Sequence, residues 1–422
     1  MRKFLLTTKT THDFLRTSCG NILEWYDFSI YGLFAIQIAQ TFFPPNDSAI
    51  RLTLLIFAMG FIARPLGAVI FGYIGDLKGK HYAVNLSVWC MAIPTTLIGF
   101  LPGYAMLGNW APILLVSLRL AQGLSAGGQF SGLIAIAADN ANPNKSFLAS
   151  LAYAISVLGT LLASIIAFLA VKLLPQVAAS NSLLASLAWR LPFVLSGGLF
   201  VVYLKLQPKY PNHPIAQSNK FSLRDIWHAQ PKELIYSILL AATSGTLFYI
   251  FFSYLVTYMQ LHLGLTKTIA LFMLNLMLII AIILFPIFGA QADQTNSRIN
   301  SGKKQLWWIA AGASALLFSH LSLIFTVLGI LVMVIAFAAV TGYTTSLFAE
   351  VFAANYQMTA CSITFNCGFV IAGFAPLLAE SLTYFSFGLP LLIISILLIM
   401  HWALTQLAMT HGYQQACLAH KI

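Results

Sequence analysis

Twelve stretches of about 20 apolar residues, joined by short polar connections, leave this chain almost no freedom of fold. A helix needs about 20 such residues to cross the hydrocarbon of a bilayer. The stretches cover approximately residues 17–41, 50–75, 82–102, 109–138, 147–174, 186–206, 233–260, 267–292, 305–321, 323–350, 356–384 and 386–409. The ninth is short and runs almost into the tenth. Only 8% of the residues are charged, against about 25% in a soluble domain, so the chain is read as an all-α integral membrane protein. Met1–Arg16 is polar and basic, and the first apolar run is long enough to stay as an anchor, so no cleavable signal is expected.

The net charge of +11 is a topology signal rather than a mark of nucleic-acid binding. With the N-terminus in the cytoplasm, sixteen cations fall on cytoplasmic segments: Arg2, Lys3, Lys9, Arg16, Lys78, Lys80, Lys145, Lys205, Lys209, Lys220, Arg224, Lys232, Arg298, Lys303, Lys304 and Lys421. Four fall on the other side, namely Arg51, Lys172, Arg190 and Lys267. Lys and Arg collect on the cytoplasmic side of membrane proteins, which places both termini inside. The last two cations, Arg64 and Arg119, lie within membrane segments. The five cysteines have no metal-type spacing and read as small apolar residues.

Two carboxylates sit inside the first apolar segment, in the run Gly20-Asn21-Ile22-Leu23-Glu24-Trp25-Tyr26-Asp27-Phe28. An ionisable group at membrane depth costs roughly 2.5–3.5 kcal/mol on insertion scales, and it usually marks a solute pathway or a proton relay. Glu24 and Asp27 are three residues apart and share one helical face. That face must look into protein.

The sixth and seventh segments are separated by a polar, proline-rich and basic stretch that begins Gln207-Pro208-Lys209-Tyr210-Pro211. The expected organisation is an N-terminal six-helix bundle over 1–206, a cytoplasmic linker over 207–232 with a surface helix near Ser222–Ala229, and a C-terminal six-helix bundle over 233–422. A weak internal repeat agrees. Gly72-x-x-x-Asp76 closes the second segment and Gly289-x-x-x-Asp293 closes the eighth, while Asp139 and Glu350 end the fourth and tenth. Duplicated halves with a substrate site at the midplane are a feature of secondary transporters.

The motifs carry a more specific likeness. The chain reads Gly20-Asn21-x-x-Glu24-Trp25-Tyr26-Asp27-Phe28-x-x-Tyr31-Gly32, then Arg64-Pro65-Leu66-Gly67-x-x-x-Phe71-Gly72-x-x-Gly75-Asp76-x-x-Gly79-Lys80. Arg119-x-x-Gln122-Gly123-x-x-x-Gly127-Gly128 and Trp189-Arg190-x-Pro192-Phe193 follow, with fainter echoes at Glu350-x-Phe352, Asn366-x-Gly368, Gly373 and Pro376. In these it resembles the major facilitator superfamily, and within it the metabolite:proton symporters, whose members carry citrate, 2-oxoglutarate, shikimate or proline and betaine. The resemblance implies the major facilitator fold, twelve transmembrane helices in two six-helix bundles, working by alternating access.

On that basis Gly72, Gly75, Asp76, Gly79 and Lys80 are candidate gate residues, with Asp139, Asp293 and Glu350 as their counterparts. The glycines allow close helix approach, and Asp76 suits a helix N-terminus, where the macrodipole favours an anion. The second copy keeps only Gly289 and Asp293, with Gln294-Thr295-Asn296 in place of the basic turn, so a weakened C-half gate is expected. Glycines 123, 127, 128 and 132 read as packing residues.

Arg119, Gln122, Ala126 and Gln129 fall on one arc of the fourth helix and form a cavity-facing stripe. Arg64 lies twelve residues before Asp76, hence about 18 Å from the cytoplasmic end at 1.5 Å per residue. Arginine suits bidentate carboxylate recognition, so Arg119 and Arg64 are candidate anchors for an anionic substrate. The alternative is that Glu24 or Asp27 pairs with Arg64 or Arg119 as structural ion pairs. Desolvation favours the neutral form of a carboxylate and an adjacent arginine favours the charged form. A proton would therefore load as substrate draws the arginine away, with Asp27 and Glu24 as the candidate proton carriers. Relatives commonly carry Gly-Gly-Glu where this chain has Gly127-Gly128-Gln129, and Gln129 cannot titrate. Gln122, Gln129, Asn21 and Tyr31 complete the candidate substrate contacts of this half.

The C-terminal half offers aromatic and amide groups instead: Tyr249, Phe252, Asn275, Tyr343, Thr344 and Asn366. His262, His320 and His401 lie near helix ends, where a satisfied or solvated histidine is the default reading. The expected function is import of a small organic anion, a carboxylate or polycarboxylate metabolite, together with protons. A zwitterionic osmolyte of the proline or betaine type, or a non-transporting sensor of the same fold, are the alternatives. An exporter is disfavoured because the fifth helix lacks a Gly-Pro-x-x-Gly element, and no nucleophile–base or metal-ligand constellation suggests an enzyme. The expected partners are a small-molecule substrate, protons and the lipid bilayer, with no nucleic acid, no cofactor and no metal. A monomer in the inner membrane of a bacterium is expected.

Overall fold

The apolar stretches emerge as helices because backbone groups in lipid must bond within their own segment. The computed structural model describes residues 8–44, 49–138, 144–178, 182–206, 223–294, 305–317, 322–353, 356–383 and 393–407. These are helical almost throughout, and no strand occurs among the described residues. In chain order the helices are α1 (Thr8–Leu33), α2 (Ala35–Phe42), α3 (Ala49–Lys78), α4 (Lys80–Phe100), α5 (Tyr104–Leu107), α6 (Trp110–Ala137), α7 (Lys145–Ala178) and α8 (Ser182–Leu206). They continue as α9 (Leu223–Ala229), α10 (Pro231–Tyr249), a π turn (Ile250–Tyr254), α11 (Leu255–Leu261), α12 (Lys267–Gln294) and α13 (Gln305–Leu317). The last five are α14 (Leu323–Thr344), α15 (Leu347–Glu350), α16 (Gln357–Ala372), α17 (Ala375–Thr383) and α18 (Ile393–Leu407).

Each of the twelve apolar stretches maps onto one helix or onto consecutive pieces of one. The first is α1 and α2, interrupted at Phe34; the seventh is α10 and α11 joined by the π turn. The eleventh breaks at Gly373–Phe374 into α16 and α17. Six of the described helices are long and apolar enough to cross a membrane alone, and α16 and α18 are shorter apolar helices. The short helix expected in the linker appears as α9; residues 207–222 of that linker lie outside the described residues.

Prolines 65, 94, 192 and 286 sit inside helices. Membrane helices tolerate this where side chains re-satisfy the backbone.

By internal contacts the chain groups into two units, residues 1–133 with 155–215, and residues 134–154 with 216–422. In the first unit α3 and α6 touch backbone to backbone. A Cβ at Gly67 would collide with the Leu124 carbonyl, one at Gly123 with the Gly60 carbonyl, and one at Gly127 with the Arg64 carbonyl. Small residues permit such approach between membrane helices. At Gly159 of α7 a Cβ would meet the Ile22 carbonyl of α1 at 2.5 Å. These contacts bring α1, α3, α6 and α7 together around the buried charges. The second unit is built on a core of rings: Phe248, Phe251, Phe252, Phe285 and Phe337 pack with centroids 5.0–6.4 Å apart in pairwise contacts.

Candidate functional site

The charges of the first unit are sealed in. Glu24, Asp27 and Arg119 are 0% exposed and Arg64 is 1% exposed. They form two ion pairs, each joining α1 to a different helix. Arg64 Nη2 of α3 lies 2.5 Å from Glu24 Oε1, and Arg119 Nη1 of α6 lies 3.4 Å from Asp27 Oδ2. The ion-pair alternative left open by the sequence is therefore realised, with these partners. Burying an unpaired charge costs several kcal/mol, so pairing is what allows four charges to stay at this depth.

The two pairs differ. Arg64 makes a short contact with Glu24, whereas Arg119 donates to Gln122 Oε1 at 2.9 Å and sits farther from its carboxylate. Between them stands Phe28, a residue that the sequence placed in a motif but gave no role. Its ring centroid is 4.9 Å from Arg64 Cζ and 5.3 Å from Arg119 Cζ, and Phe61 packs against it at 5.2 Å. Tyr31 covers Arg119 from another side, with its ring centroid 4.1 Å from Cζ and its hydroxyl donating to the Thr53 carbonyl at 3.3 Å. Cation–π contacts are worth about 2 kcal/mol or more when desolvated, so these rings help hold the guanidinium groups in place. The spacing of Phe28, four residues after Glu24 on the same face, was the available signal.

The other residues nominated in this unit line the same helices. Asn21 Nδ2 donates to Ser156 Oγ of α7 at 2.5 Å. Gln122 Nε2 donates to Thr95 Oγ1 of α4 at 2.8 Å, a partner that the sequence did not suggest. Gln129 is fully buried near Gly20, and neither of its amide atoms has a hydrogen-bond partner among the described residues. One carboxylate oxygen of Glu24, Oε2, is likewise unbonded.

The nominated residues of the second unit are spread over several helices. Tyr249 lies where α10 passes into the π turn, with ring centroids 5.7 Å from Phe248 and 6.0 Å from Phe369. Asn275 is half-buried on α12, Tyr343 is buried at the end of α14, and Asn366 Nδ2 donates to the Ser362 carbonyl of its own helix at 2.8 Å. Phe252 belongs to the ring core, and Thr344 Oγ1 meets Thr405 Oγ1 at 2.8 Å. His401 is not at a solvated end: it is fully buried within α18, with Nδ1 2.8 Å from Thr243 Oγ1. Tyr153 was missed. It is buried against Phe248, Phe285 and Phe337 at 6.2, 4.8 and 6.4 Å, and its hydroxyl lies 3.4 Å from Ser244 Oγ. Nothing in an apolar run marks one tyrosine as central.

Among the residues nominated for a gate, one makes a clear contact. Asp293 at the end of α12 accepts from the backbone N–H of Ser146 at 3.0 Å through Oδ1 and from that of Phe147 at 2.7 Å through Oδ2. It caps the amino end of α7, where free N–H groups and the macrodipole attract an anion. Close packing supports the cap: a Cβ at Gly289 would strike Ser150 Oγ, and Ser150 Oγ bonds the carbonyls of Ser146 at 2.6 Å and Gly342 at 3.1 Å. Ser146 Oγ lies 3.2 Å from Ser346 Oγ. A weak contact was expected here because the basic turn is lost. The cap needs only a carboxylate and backbone donors, so that loss does not touch it. In the first copy Gly72 and Asp76 lie in the last two turns of α3, and Gly79, with φ +101 in a backbone region that favours glycine, separates it from α4, which begins at Lys80. Gly75 accepts at its carbonyl from Gly79 N at 3.0 Å. Glu350 closes α15, and Asp139 lies outside the described residues.

Comparison with known proteins follows the same lines. The family model described as Major Facilitator Superfamily matches residues 17–376, and the chain belongs to that family. A proline/betaine transporter of Salmonella typhimurium is 28% identical over 86% of this chain and 75% of its own length. An alpha-ketoglutarate permease of Escherichia coli is 31% identical over 74% of this chain and 69% of its own. Among solved structures, the proton:xylose symporter XylE bound to a bromodeoxyglucose superposes with a TM-score of 0.70 at 17% identity, covering 93% of this chain and 94% of that one. The protein is thus an all-α membrane transporter of this superfamily, in keeping with the resemblance read from its motifs.

Proposed function

We propose that the protein imports a small metabolite bearing a carboxylate, in symport with protons, and that Arg119 is the anchor of that carboxylate. The observation that carries this reading is the inequality of the two ion pairs. Arg64 is held by Glu24 at 2.5 Å, while Asp27 stands 3.4 Å from Arg119. A carboxylate of a solute competes best for the arginine that is less tightly taken. When it does, Asp27 loses its counter-ion and takes up a proton, which couples the two fluxes. Glu24 and Arg64 then hold α1 to α3 through the cycle. Gln122, Gln129, Asn21 and Tyr31 complete the surroundings of the anchor, and Asp293 with Asp76 latches the helix ends.

One available arginine suits one carboxylate. A zwitterionic osmolyte meets that requirement as well as a metabolite anion does, and the similarity to proline/betaine transporters favours it. Similarity to an alpha-ketoglutarate permease favours the anion. The protein is proposed to work in the inner membrane of a bacterium with both termini in the cytoplasm.

Uptake of radiolabelled 2-oxoglutarate, proline and glycine betaine into proteoliposomes, driven by an imposed inward proton gradient, tests the reading. The expected result is gradient-driven accumulation of at least one of them, lost in Arg119→Ala. Accumulation that persists unchanged in Arg119→Ala rejects the anchor.

A further inference from the structure

Gln122 faces Arg119 with its oxygen and Thr95 with its nitrogen, and the reason lies in the hydroxyl. Thr95 has a single hydroxyl hydrogen. That hydrogen goes to an acceptor other than Gln122, either the Met91 carbonyl, 2.8 Å away on the preceding turn of α4, or the Asp27 carboxylate. Toward Gln122 the oxygen of Thr95 can therefore only accept, and Gln122 Nε2 donates to it at 2.8 Å. The amide is planar, so its other end is fixed by the same bond. Oε1 points at Arg119 and accepts from Nη1 at 2.9 Å. All four groups, from Thr95 to Asp27, are 0% exposed.

The same Nη1 is 3.4 Å from Asp27. The neutral amide thus holds the guanidinium more closely than the carboxylate does. The bond from Arg119 to Gln122 does not itself need a charge on Asp27, although Thr95 and Gln122 both also face that carboxylate. An amide turned the other way would present a donor to a donor and push Arg119 off its place.

We infer that Thr95 is a positioning residue for Arg119, acting through the amide of Gln122. The inference rests on the reading of Arg119 as the anchor, but its structural part can be measured without any solute. Thr95→Val keeps the shape and removes the hydroxyl. Thr95→Ser keeps the hydroxyl. Gln122→Glu offers oxygen at both ends, so the side chain no longer needs orienting.

The experiment uses the full chain in lipid, labelled with 15N-arginine, with the Arg119 signals assigned by their loss in Arg119→Lys. Wild type and Thr95→Ser are expected to show distinct, immobile Nη signals for Arg119. In Thr95→Val these signals shift and average, whereas in the Gln122→Glu background the same valine has a smaller effect. Unchanged Arg119 signals in Thr95→Val, or an equal effect of valine in both backgrounds, overturns the inference. If valine at 95 prevents folding, the Gln122→Glu background decides: folding restored there is the expected result, and no restoration overturns it. For proline or 2-oxoglutarate uptake, the matching expectation is a KM raised about fivefold to tenfold by Thr95→Val, the equivalent of one lost hydrogen bond. Thr95→Ser stays near wild type. An Arg119 signal that responds as expected while uptake of these probes is absent, or is indifferent to Arg119, would count against the proposed function and leave the positioning role standing.

Discussion

Removing the carboxylate charge from either ion pair leaves a buried guanidinium without its counter-charge, and the two pairs should not suffer equally. At an effective dielectric of about 20, a contact of 2.5 Å corresponds to ~7 kcal/mol of attraction and one of 3.4 Å to ~5 kcal/mol. The difference, ~2 kcal/mol, is the margin by which Glu24→Gln is expected to destabilise the protein more than Asp27→Asn does. Each substitution breaks one buried pair, for which losses of about 3–5 kcal/mol are usual. Asp27→Asn is softened further because Arg119 keeps Gln122 at 2.9 Å. Thermal unfolding in detergent, followed by tryptophan fluorescence, gives the ordering directly. The double variant Glu24→Gln with Arg64→Gln should recover part of the loss, since it removes the stranded cation. Equal destabilisation by the two single substitutions, or a larger effect at Asp27, would refute the claim that Asp27 is the pair made to open.

Three other outcomes are expected. Gly127→Leu should prevent tight closure of α3 on α6, because its Cβ alone already meets the Arg64 carbonyl; a thermal midpoint equal to wild type contradicts this. Asp293→Ala should cost about 1 kcal/mol, as lost helix caps do, and should speed amide hydrogen exchange at Ser146 and Phe147 above all other positions of α7. Protection unchanged at those two amides contradicts the cap. Tyr153→Ala should destabilise by roughly 3–5 kcal/mol through the cavity it leaves, whereas Tyr153→Phe should cost little because the hydroxyl contact to Ser244 is long, at 3.4 Å. Similar melting curves for the two variants would show that the ring packing is not what matters.

The helices were legible because a bilayer leaves an apolar run of this length no other choice. The buried charges were legible for the same reason, since ionisable residues in such runs stand out. Their partners were not. Spacing put Glu24 and Asp27 on one face, but the choice between Arg64 and Arg119 follows from how closely α3 and α6 approach. That approach is set by Gly67, Gly123 and Gly127, contacts far from one another in sequence. Thr95 and Tyr153 carried no signal at all, as a lone hydroxyl or ring in an apolar helix gives no period to read. His401 was read as satisfied or solvated, and only the packing of α18 shows that it is the former, bonded to Thr243. At Asp293 the comparison of motifs did not reveal the contact that is made. It weighed the missing basic residues, whereas the contact is made by a carboxylate on backbone N–H groups.

Proton movement driven by solute tests the central claim most directly. Proteoliposomes loaded with a pH-sensitive dye and given proline, glycine betaine or 2-oxoglutarate from outside should acidify inside when the wild-type protein carries the solute. Acidification should disappear in Asp27→Asn while bound solute is still detected, because the anchor Arg119 remains. Solute-driven acidification of wild-type size in Asp27→Asn would contradict the account.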